Sequence, residues 1–428
     1  MGWTVRDRLL LRGGTVVTSR GSARHDVLVK GGVIAAVGPG LEDPEAVVED
    51  VSGLVLTPGF VDVHVHLRDP GAPDSETLES GLEAAARGGI HHVYCMANTD
   101  PVNDDPELTA DLVTRARELS PLTLHPVAAV TRGLVGRELT DFGALRHAGA
   151  GALSNDGLPV EDAATLRRAL ERAGEADLTI LVHAEDRRLA AGGAVDARVA
   201  ERLLTKGIPV EAEDLATARD VGVAVETGAP LHVCHVSTAG SVEIVRQARA
   251  GGGRITAEAT PHHLLLSYED IPEGDTDFKM NPPLRAPADV RALIAGIVDG
   301  TVTAIATDHA PHAPARKAGG FSEAAFGAIG LETSFPVSYT ALVAAGRIDL
   351  QRLVALYVDG PAAVVGAEPP RIAPGARAEI NLLDLEASWT VDPAALASRS
   401  RNYPFTGSRR KSAVVGTVCG RSYRRWPR

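Results

Sequence analysis

His64 and His66 stand one residue apart at the end of an apolar run, Phe60-Val61-Asp62-Val63-His64-Val65-His66, and Arg68 follows two residues later. Strand side chains alternate between faces, so a strand here places Val61, Val63 and Val65 on one side and Asp62, His64 and His66 on the other. Two imidazoles on one face at a strand end can grip a single metal ion. A pair of hydrogen-bonded core histidines is the plain alternative. Metal is favoured because an inward face that also carries Asp62, with Arg68 just beyond, holds more polarity than a core can bury without a partner.

The elements that must position such residues change character along the chain. Residues 1–57 read as short β segments broken by Gly13-Gly14, Gly21 and Gly31-Gly32, the pattern of hairpins in a small β-sandwich, and no catalytic residue types cluster there. From Pro58 onward strands and helices alternate. Candidate strands lie at 60–66, 91–98, 122–130, 150–156, 178–183, 230–235, 254–260 and 302–308, with helical stretches such as 76–87, 106–119, 160–173, 215–226 and 241–250 between them. This alternation predicts an α/β fold, a (β/α)8 TIM-type barrel, whose chemistry sits at the C-terminal ends of the strands. Metal-capable side chains fall at strand ends one, four, five, six and eight, whereas residues without a common site would scatter along the strands. After Gly366 β character returns, at 378–384 and 412–418. The expected organisation is a barrel of residues 58–369 inserted into one β-sandwich built from 1–57 and 370–428.

Composition narrows the function class. At 428 residues and 44% apolar content the chain can bury a large core. No apolar run approaches the roughly 20 residues that cross a bilayer, and no signal-peptide core stands near residue 1, so a cytoplasmic protein without membrane contact is expected. Cys95, Cys234 and Cys419 are too few for a disulfide framework. The net charge of −12 argues against nucleic acid as the main partner. A small anionic substrate remains admissible, because one Arg can reverse the sign inside a cleft.

The candidate ligands are His64, His66, Asp156, His183, His235 and Asp308: four imidazoles and two carboxylates, which suit one or two divalent ions. Two ions need a bridge. Several binuclear barrel hydrolases bridge theirs with a carboxylated lysine at the end of strand four, but this chain has no Lys from 31 to 205. Asp156, near the same strand end, is the natural substitute. A divalent ion lowers the pKa of a coordinated water to about 7 and makes it a nucleophile. Asp308 could take up the proton and pass it to a leaving nitrogen, although a helix cap or a simple ligand is the alternative for it. Arg68, Asn98 and His312 form a second set able to reach the same cleft, with the planar fork of Arg68 matched to a carboxylate. Pairing of Arg68 with Asp69, or an Asx turn at Asn98, would account for each singly but not for all three facing one end of the barrel. The Gly/Ala-rich stretch 313–330 is expected to be a mobile loop over the site. His262 and His263 read as structural, and His25, His91, His92, His125, His147 and His232 carry no functional expectation.

Two segments resemble the signatures of a known family. Asp62-Val63-His64-Val65-His66-Leu67-Arg68-Asp69-Pro70-Gly71 and Ala306-Thr307-Asp308-His309-Ala310-Pro311-His312 together are similar to dihydroorotases of the long bacterial type (class I), within the amidohydrolase superfamily. His232-Val233-Cys234-His235-Val236-Ser237-Thr238, Lys279-Met280-Asn281-Pro282-Pro283-Leu284-Arg285 and the stretch from Phe326-Gly327 to Thr333 extend the match over nearly the whole chain. The resemblance implies zinc, one or two ions per chain, on His64, His66, His183, His235 and Asp308, with Asp156 as a shared ligand. It implies Arg68, Asn98 and His312 on the substrate's carboxylate, and Asn281, Phe326 and Gly327 lining the ring. The implied reaction is reversible cyclisation of N-carbamoyl-L-aspartate to L-dihydroorotate plus water, in pyrimidine biosynthesis, with Asp308 as the proton carrier. A homodimer is expected, and association with an aspartate transcarbamoylase is left open. Two positions depart from the family's pattern. Ala97 replaces a Pro before Asn98, which loosens the turn aiming that amide, and Asn155 replaces an Asp before Asp156, which bears on occupancy of a second metal position. The competing readings are a hydantoinase- or allantoinase-like cyclic amidohydrolase, which would use the bridging lysine absent here, and a non-catalytic scaffold for a transcarbamoylase, which would have lost ligands this chain keeps.

Overall fold

The computed structural model describes residues 2–426. Eight strands form one parallel sheet in sequential order: β1 (Phe60–Val65), β2 (Ile90–Cys95), β3 (Thr123–Ala129), β4 (Ala152–Ser154), β5 (Ile180–Val182), β6 (Leu231–Val233), β7 (Ile255–Ala259) and β8 (Ala304–Ile305). The ends meet where Val65 bridges His309 in parallel and the His66 N–H donates to the His309 carbonyl at 2.8 Å. A helix follows each strand: Leu78–Arg87, Pro106–Leu119, Phe142–Ala148, Ala163–Glu175, Glu211–Thr227, Ala239–Ala250, Pro287–Asp299 and Leu350–Tyr357. Several start on sequence-encoded caps, including Asp105 before Pro106, Asp162 and Thr238. Two apolar layers follow from this geometry. Val61, Val63, Tyr94, Val127, Ala152, Leu181 and Ala304 fill the barrel interior, while residues such as Val65, Val93, Leu153 and Ile180 pack outward against the helices.

The chain ends share sheets, as the sequence pattern suggested. Val55–Pro58 pairs antiparallel with Glu379–Thr390, Leu56 lying opposite Leu382, inside a seven-stranded sheet that also holds Arg409–Cys419 and Ser422–Arg425. A four-stranded sheet of Arg8–Arg12, Asp26–Lys30, Val33–Gly38 and Val47–Asp50 covers it. Leu9, Val27, Val29 and Ile34 from one sheet meet Leu56, Ile380, Leu382 and Val418 from the other. Gly31 and Gly32 both take positive φ, which the two-residue turn of the Lys30–Val33 hairpin requires.

Strict alternation in β1 does not hold. Val61 and Val63 lie in the barrel interior, but Val65 lies in the outer layer. The pairing with β2 slips by one residue between Asp62↔Val93 and Val65↔Cys95, the signature of a bulge. The Asp62 carboxylate stabilises it by accepting from the His64 N–H at 3.1 Å and from the Thr307 N–H just beyond β8. The candidate strands also overrun the ladders at their chemical ends. Asn155, Asp156, His183, His235 and Asp308 all lie past the last paired residue. His235, Asp308 and Arg68 take φ of 33°, 47° and 55°, a left-handed backbone that side chains with a Cβ adopt only where the surroundings enforce it.

The stretch 313–330, expected to be mobile, is anchored at several points, although 314–316, 318–320 and 322–323 are exposed. A short helix, Pro314–Lys317, turns the Lys317 side chain inward, where its ammonium donates to the carbonyls of Lys279, Ala325 and Gly327 at 3.2, 2.9 and 3.1 Å. Lys279 reaches back to the Phe321 carbonyl, and Phe321 is buried. Small residues in this stretch let the backbone pass close to the cation; they do not loosen it.

Candidate active site

Six of the predicted side chains converge at the C-terminal end of the barrel, each at most 7% exposed. Asp156, just past β4, sits at the centre. One of its oxygens lies 3.4 Å from His64 Nε2, 3.7 Å from His183 Nδ1 and 3.6 Å from His235 Nε2; the other lies 3.5 Å from His66 Nε2. Asp308 closes the ring from β8, 3.2 Å from His66 Nε2 and 3.6 Å from His64 Nε2. His183 Nδ1 and His235 Nε2 approach to 3.1 Å.

The imidazoles are oriented from behind. His64 gives its other ring nitrogen to Glu258 at 3.1 Å, and His66 gives its Nδ1 to the Asn98 amide oxygen at 2.9 Å, so both Nε2 lone pairs point at the two carboxylates. Glu258 is itself held by His232 Nε2 at 2.9 Å. Glu258 escaped the sequence reading, although a carboxylate inside a barrel strand, Ile255-Thr256-Ala257-Glu258-Ala259, was a signal available to it. Glu185 was missed as well. It follows β5, 3.6 Å from His183 Nε2, and accepts from Asn281 Nδ2 at 3.2 Å. His263 is structural as expected, spanning Thr260 Oγ1 and the Pro282 carbonyl. His262 is buried beside the cluster with its Nε2 unpartnered among the described residues, and burial holds its pKa down at about 4.

Electrostatics match the donor set. Burial opposes charge on Asp156 and Asp308, yet the imidazoles around them outweigh it and hold both carboxyls well below the usual carboxylate range. Burial likewise opposes charge on His64, but Asp156 raises its affinity for a proton well above that of a free imidazole. The centre therefore calls for positive charge. His64 Nε2 and one Asp156 oxygen are buried there without any hydrogen-bond partner among the described residues. Buried polar atoms in a folded chain are normally satisfied. Two clusters, His64–His66–Asp308 and His64–Asp156–His235, each place their ligand atoms within 4.8 Å of one another. Nitrogen and carboxylate oxygen at this spacing fit a divalent ion.

The second predicted set lies on the rim and is only half-buried, open to an incoming molecule. Arg68 does not pair with Asp69, which binds Arg115 at 2.9 Å. Its Nε instead donates to the Pro311 carbonyl at 3.3 Å. Burial draws its pKa down to about 10, against the pull of Asp308 and Asp156, so it stays a cation at neutral pH. His312 Nε2 lies 2.7 Å from the Phe326 carbonyl, and burial followed by the Arg68 charge lowers its pKa to about 3, leaving the ring neutral. Gly327 sits against Ala310 and His312 so closely that an added Cβ would lie 2.5 Å from Ala310 Cβ, and Asn281 reaches the cleft beside His183. The structure thus brings Arg68, His312, Phe326 and Gly327 together and sets Asn281 beside His183 and Glu185, while the Asn98 oxygen is committed to His66. Asn402, outside every sequence expectation, knits the rim together. Its amide oxygen accepts from the His312 N–H, and its Nδ2 donates to the carbonyls of Ala310 and Gly327.

A parallel β/α barrel with paired histidines ending strand one, single histidines after strands five and six and an aspartate after strand eight defines a metal-dependent hydrolase of the amidohydrolase class. The solved structures agree. The chain superimposes on an L-hydantoinase (dihydropyrimidinase) from Arthrobacter aurescens with a TM-score of 0.85 and 26% identity over 97% of this chain and 94% of that one. A dihydropyrimidinase from Brevibacillus agri gives 0.83 at 24% identity over 97% and 94%, a likeness of fold. Sequence comparison is more specific: a dihydro-orotase-like family model matches residues 53–241. Dihydroorotases of Halalkalibacterium halodurans and of a Geobacillus species are 44% and 46% identical, covering 96% and 93% of this chain and 97% and 93% of theirs. The chain belongs to the dihydroorotase family.

Proposed function

We propose that this chain catalyses the reversible cyclisation of N-carbamoyl-L-aspartate to L-dihydroorotate and water, with zinc as its metal. The observation that carries the reading is the pairing of a buried, cation-demanding centre of four imidazoles and two carboxylates with a half-buried Arg68 on its rim. In the hydrolytic direction His64, His66, His183, His235, Asp156 and Asp308 would hold the ion. A divalent ion in that set lowers the pKa of water and polarises the scissile carbonyl. Arg68, with Asn98 and His312 beside it, anchors the substrate carboxylate, and Asn281, Phe326 and Gly327 border the ring. Asp308, kept ionised by its histidine neighbours, accepts the proton from the attacking water and delivers it to the ring nitrogen as the carbon–nitrogen bond breaks. One water is consumed, and the ring opens to a carboxylate and a ureido group.

Support against a hydantoinase reading comes from the residues. No lysine lies between 31 and 205 to be carboxylated, and Asp156 touches all four histidines in its stead. The three cysteines are all free and buried, in keeping with a reducing, cytoplasmic setting, and among the described residues no helix is long and apolar enough to cross a membrane. A homodimer and the domain division at 57/58 and 369/370 complete the proposal; docking to a transcarbamoylase is left open, and sedimentation alone and with that enzyme reads both. The decisive experiment assays purified protein on dihydroorotate, hydantoin and allantoin, with metal content per chain measured before and after chelation. Turnover of dihydroorotate that vanishes on chelation and returns with zinc supports the reading. Preferred hydrolysis of hydantoin or allantoin overturns it.

A further inference from the structure

A second group of metal-ligating side chains lies outside the active site, where β2 begins and meets the sheet formed by the chain ends. A ring nitrogen of His91, a Glu379 oxygen and the Cys419 sulfur lie within 4.8 Å of one another, and all three residues are buried. Glu379 and Cys419 are direct cross-strand partners, and Asn381 and Thr417 form the next pair on the same face.

The tautomer of His91 follows from its neighbours. Asn381 Nδ2 lies 2.7 Å from the Gly89 carbonyl and 3.4 Å from that of Pro58, so it must be the donor end of the amide. That leaves Asn381 Oδ1 facing His91 Nε2 at 3.1 Å, and only a protonated Nε2 can bond to it. The proton is therefore on Nε2, and Thr417 Oγ1, 2.7 Å away, accepts from it too. Nδ1 keeps a buried lone pair, and it has no partner among the described residues. An imidazole that donates one N–H to an amide oxygen and leaves the other nitrogen bare is how proteins present histidine to a metal.

Arg377 lies against two of the three ligands. Its guanidinium lies 3.5 Å from both the Cys419 sulfur and a Glu379 oxygen. The side chain is half exposed and can turn into solvent. Glu379 also bonds His92 Nε2 at 3.1 Å through its other oxygen, and the Cys419 thiol donates to the Pro121 carbonyl at 3.1 Å, a bond the metal would displace. Counting Arg377, Glu379 and Cys419, two electroneutral states are then available: Arg377 cation, Glu379 carboxylate and Cys419 thiol, or divalent ion, carboxylate and thiolate with Arg377 turned out. The exchange takes up one metal ion and releases one proton from sulfur. A tetrahedral zinc needs donors about 3.5 Å apart, so donors that lie within 4.8 Å would draw in by at most about 1.3 Å.

We propose that His91 Nδ1, Glu379 and Cys419 form a second, structural site for a zinc-class divalent ion, with Arg377 as its competitor, stapling the floor of the barrel to the sheet built from both chain ends. The site is independent of turnover and of the substrate reading above. The test loads the full-length protein with Co2+ and records the near-ultraviolet thiolate-to-cobalt charge-transfer band, together with metal content and Tm. Wild type should show the band, hold one equivalent more than Cys419→Ser and gain more Tm on zinc addition; Arg377→Gln should bind that equivalent about tenfold tighter. If Cys419→Ser does not fold, Glu379→Gln takes its place in the metal count. Equal stoichiometry in wild type and variant, no band in wild type, or a band that survives in Cys419→Ser and so belongs to Cys234 beside His64, would each overturn the proposal.

Discussion

Replacing Arg68 by Lys isolates the recognition half of the site from its chemistry. Arg68 is pre-aimed: its backbone is held left-handed at φ 55° and its Nε is fixed on the Pro311 carbonyl, so the two terminal nitrogens form a fork of set direction. A carboxylate in that fork takes two charge-assisted hydrogen bonds. Lysine keeps the charge and offers one bond at a time, so about one bond is lost, worth roughly 1.5–3 kcal/mol. KM should therefore rise about 10- to 150-fold. The rate constant kcat should stay within about threefold, because the interaction is equally strong before and during bond cleavage. Steady-state kinetics on dihydroorotate measures the split, and an analogue with a carboxamide in place of the ring carboxylate supplies the control. The analogue should bind wild type and Arg68→Lys alike. An unchanged KM, or equal losses on acid and amide, would show that Arg68 serves the architecture of the loop and not the substrate.

Other perturbations separate the remaining roles. His64→Ala should lose metal and turnover together, whereas Asp308→Asn should retain most of the metal and still lose at least about a hundredfold in kcat; metal analysis beside kinetics tells them apart, and comparable metal loss in both would reduce Asp308 to a ligand. Asn402→Ala removes three hydrogen bonds between the rim segments, so urea unfolding should register roughly 2–4 kcal/mol and kcat/KM should fall about tenfold or more; a stability loss with intact kinetics would refute its positioning role. Burial pushes the Glu332 carboxyl up to about 7, against the N–H groups of Ala397 and Ser398 that favour its charge. A raised acid pKa means that the folded state holds the proton more firmly, so this group's contribution is full below about pH 4.5 and is lost as pH climbs through 7. Glu332→Gln cannot titrate and should gain on wild type by about 3 kcal/mol between pH 4 and pH 8 in denaturant titrations; a difference independent of pH would rule the buried carboxylate out as the cause.

What could be read from the sequence was what repeats or what is chemically dear to bury. Eight strand–helix alternations and polar residues recurring at strand ends were enough to place His64, His66, Asp156, His183, His235 and Asp308 in one pocket, because parallel strands in a barrel deliver their ends to one face. What could not be read depends on contacts between distant positions. The bulge in β1 needs Thr307, about 245 residues away, to share the Asp62 carboxylate. The orientation of His64 needs Glu258, and that of the 310–312 and 326–329 segments needs Asn402. The anchoring of the stretch 313–330 was hidden for the same reason. Its glycines and alanines look like freedom when read alone, but Lys317 turns them into a cradle of carbonyls around one buried ammonium.

The two layers of the site explain why the strained residues lie where they do. Arg68, His235 and Asp308 are the non-glycine site residues whose backbones sit at positive φ, and each lies within three residues of the end of its strand. A strand that simply continued would keep its side chains alternating along the barrel wall. Turning the backbone left-handed at the rim swings His235 and Asp308 inward over Asp156 and leaves Arg68 outward, where solvent still reaches it. Each such conformation costs on the order of 1–3 kcal/mol and persists because the surrounding bonds enforce it. Here those bonds are the Glu258 contact to the His235 N–H, the Thr307 hydroxyl under His309 and the Ala72 N–H on the Arg68 carbonyl. The same turns separate a buried, cation-demanding centre from a half-buried rim, which is the arrangement the proposed reading needs for the single carboxylate of dihydroorotate to sit on Arg68 while its ring carbonyl faces the histidines.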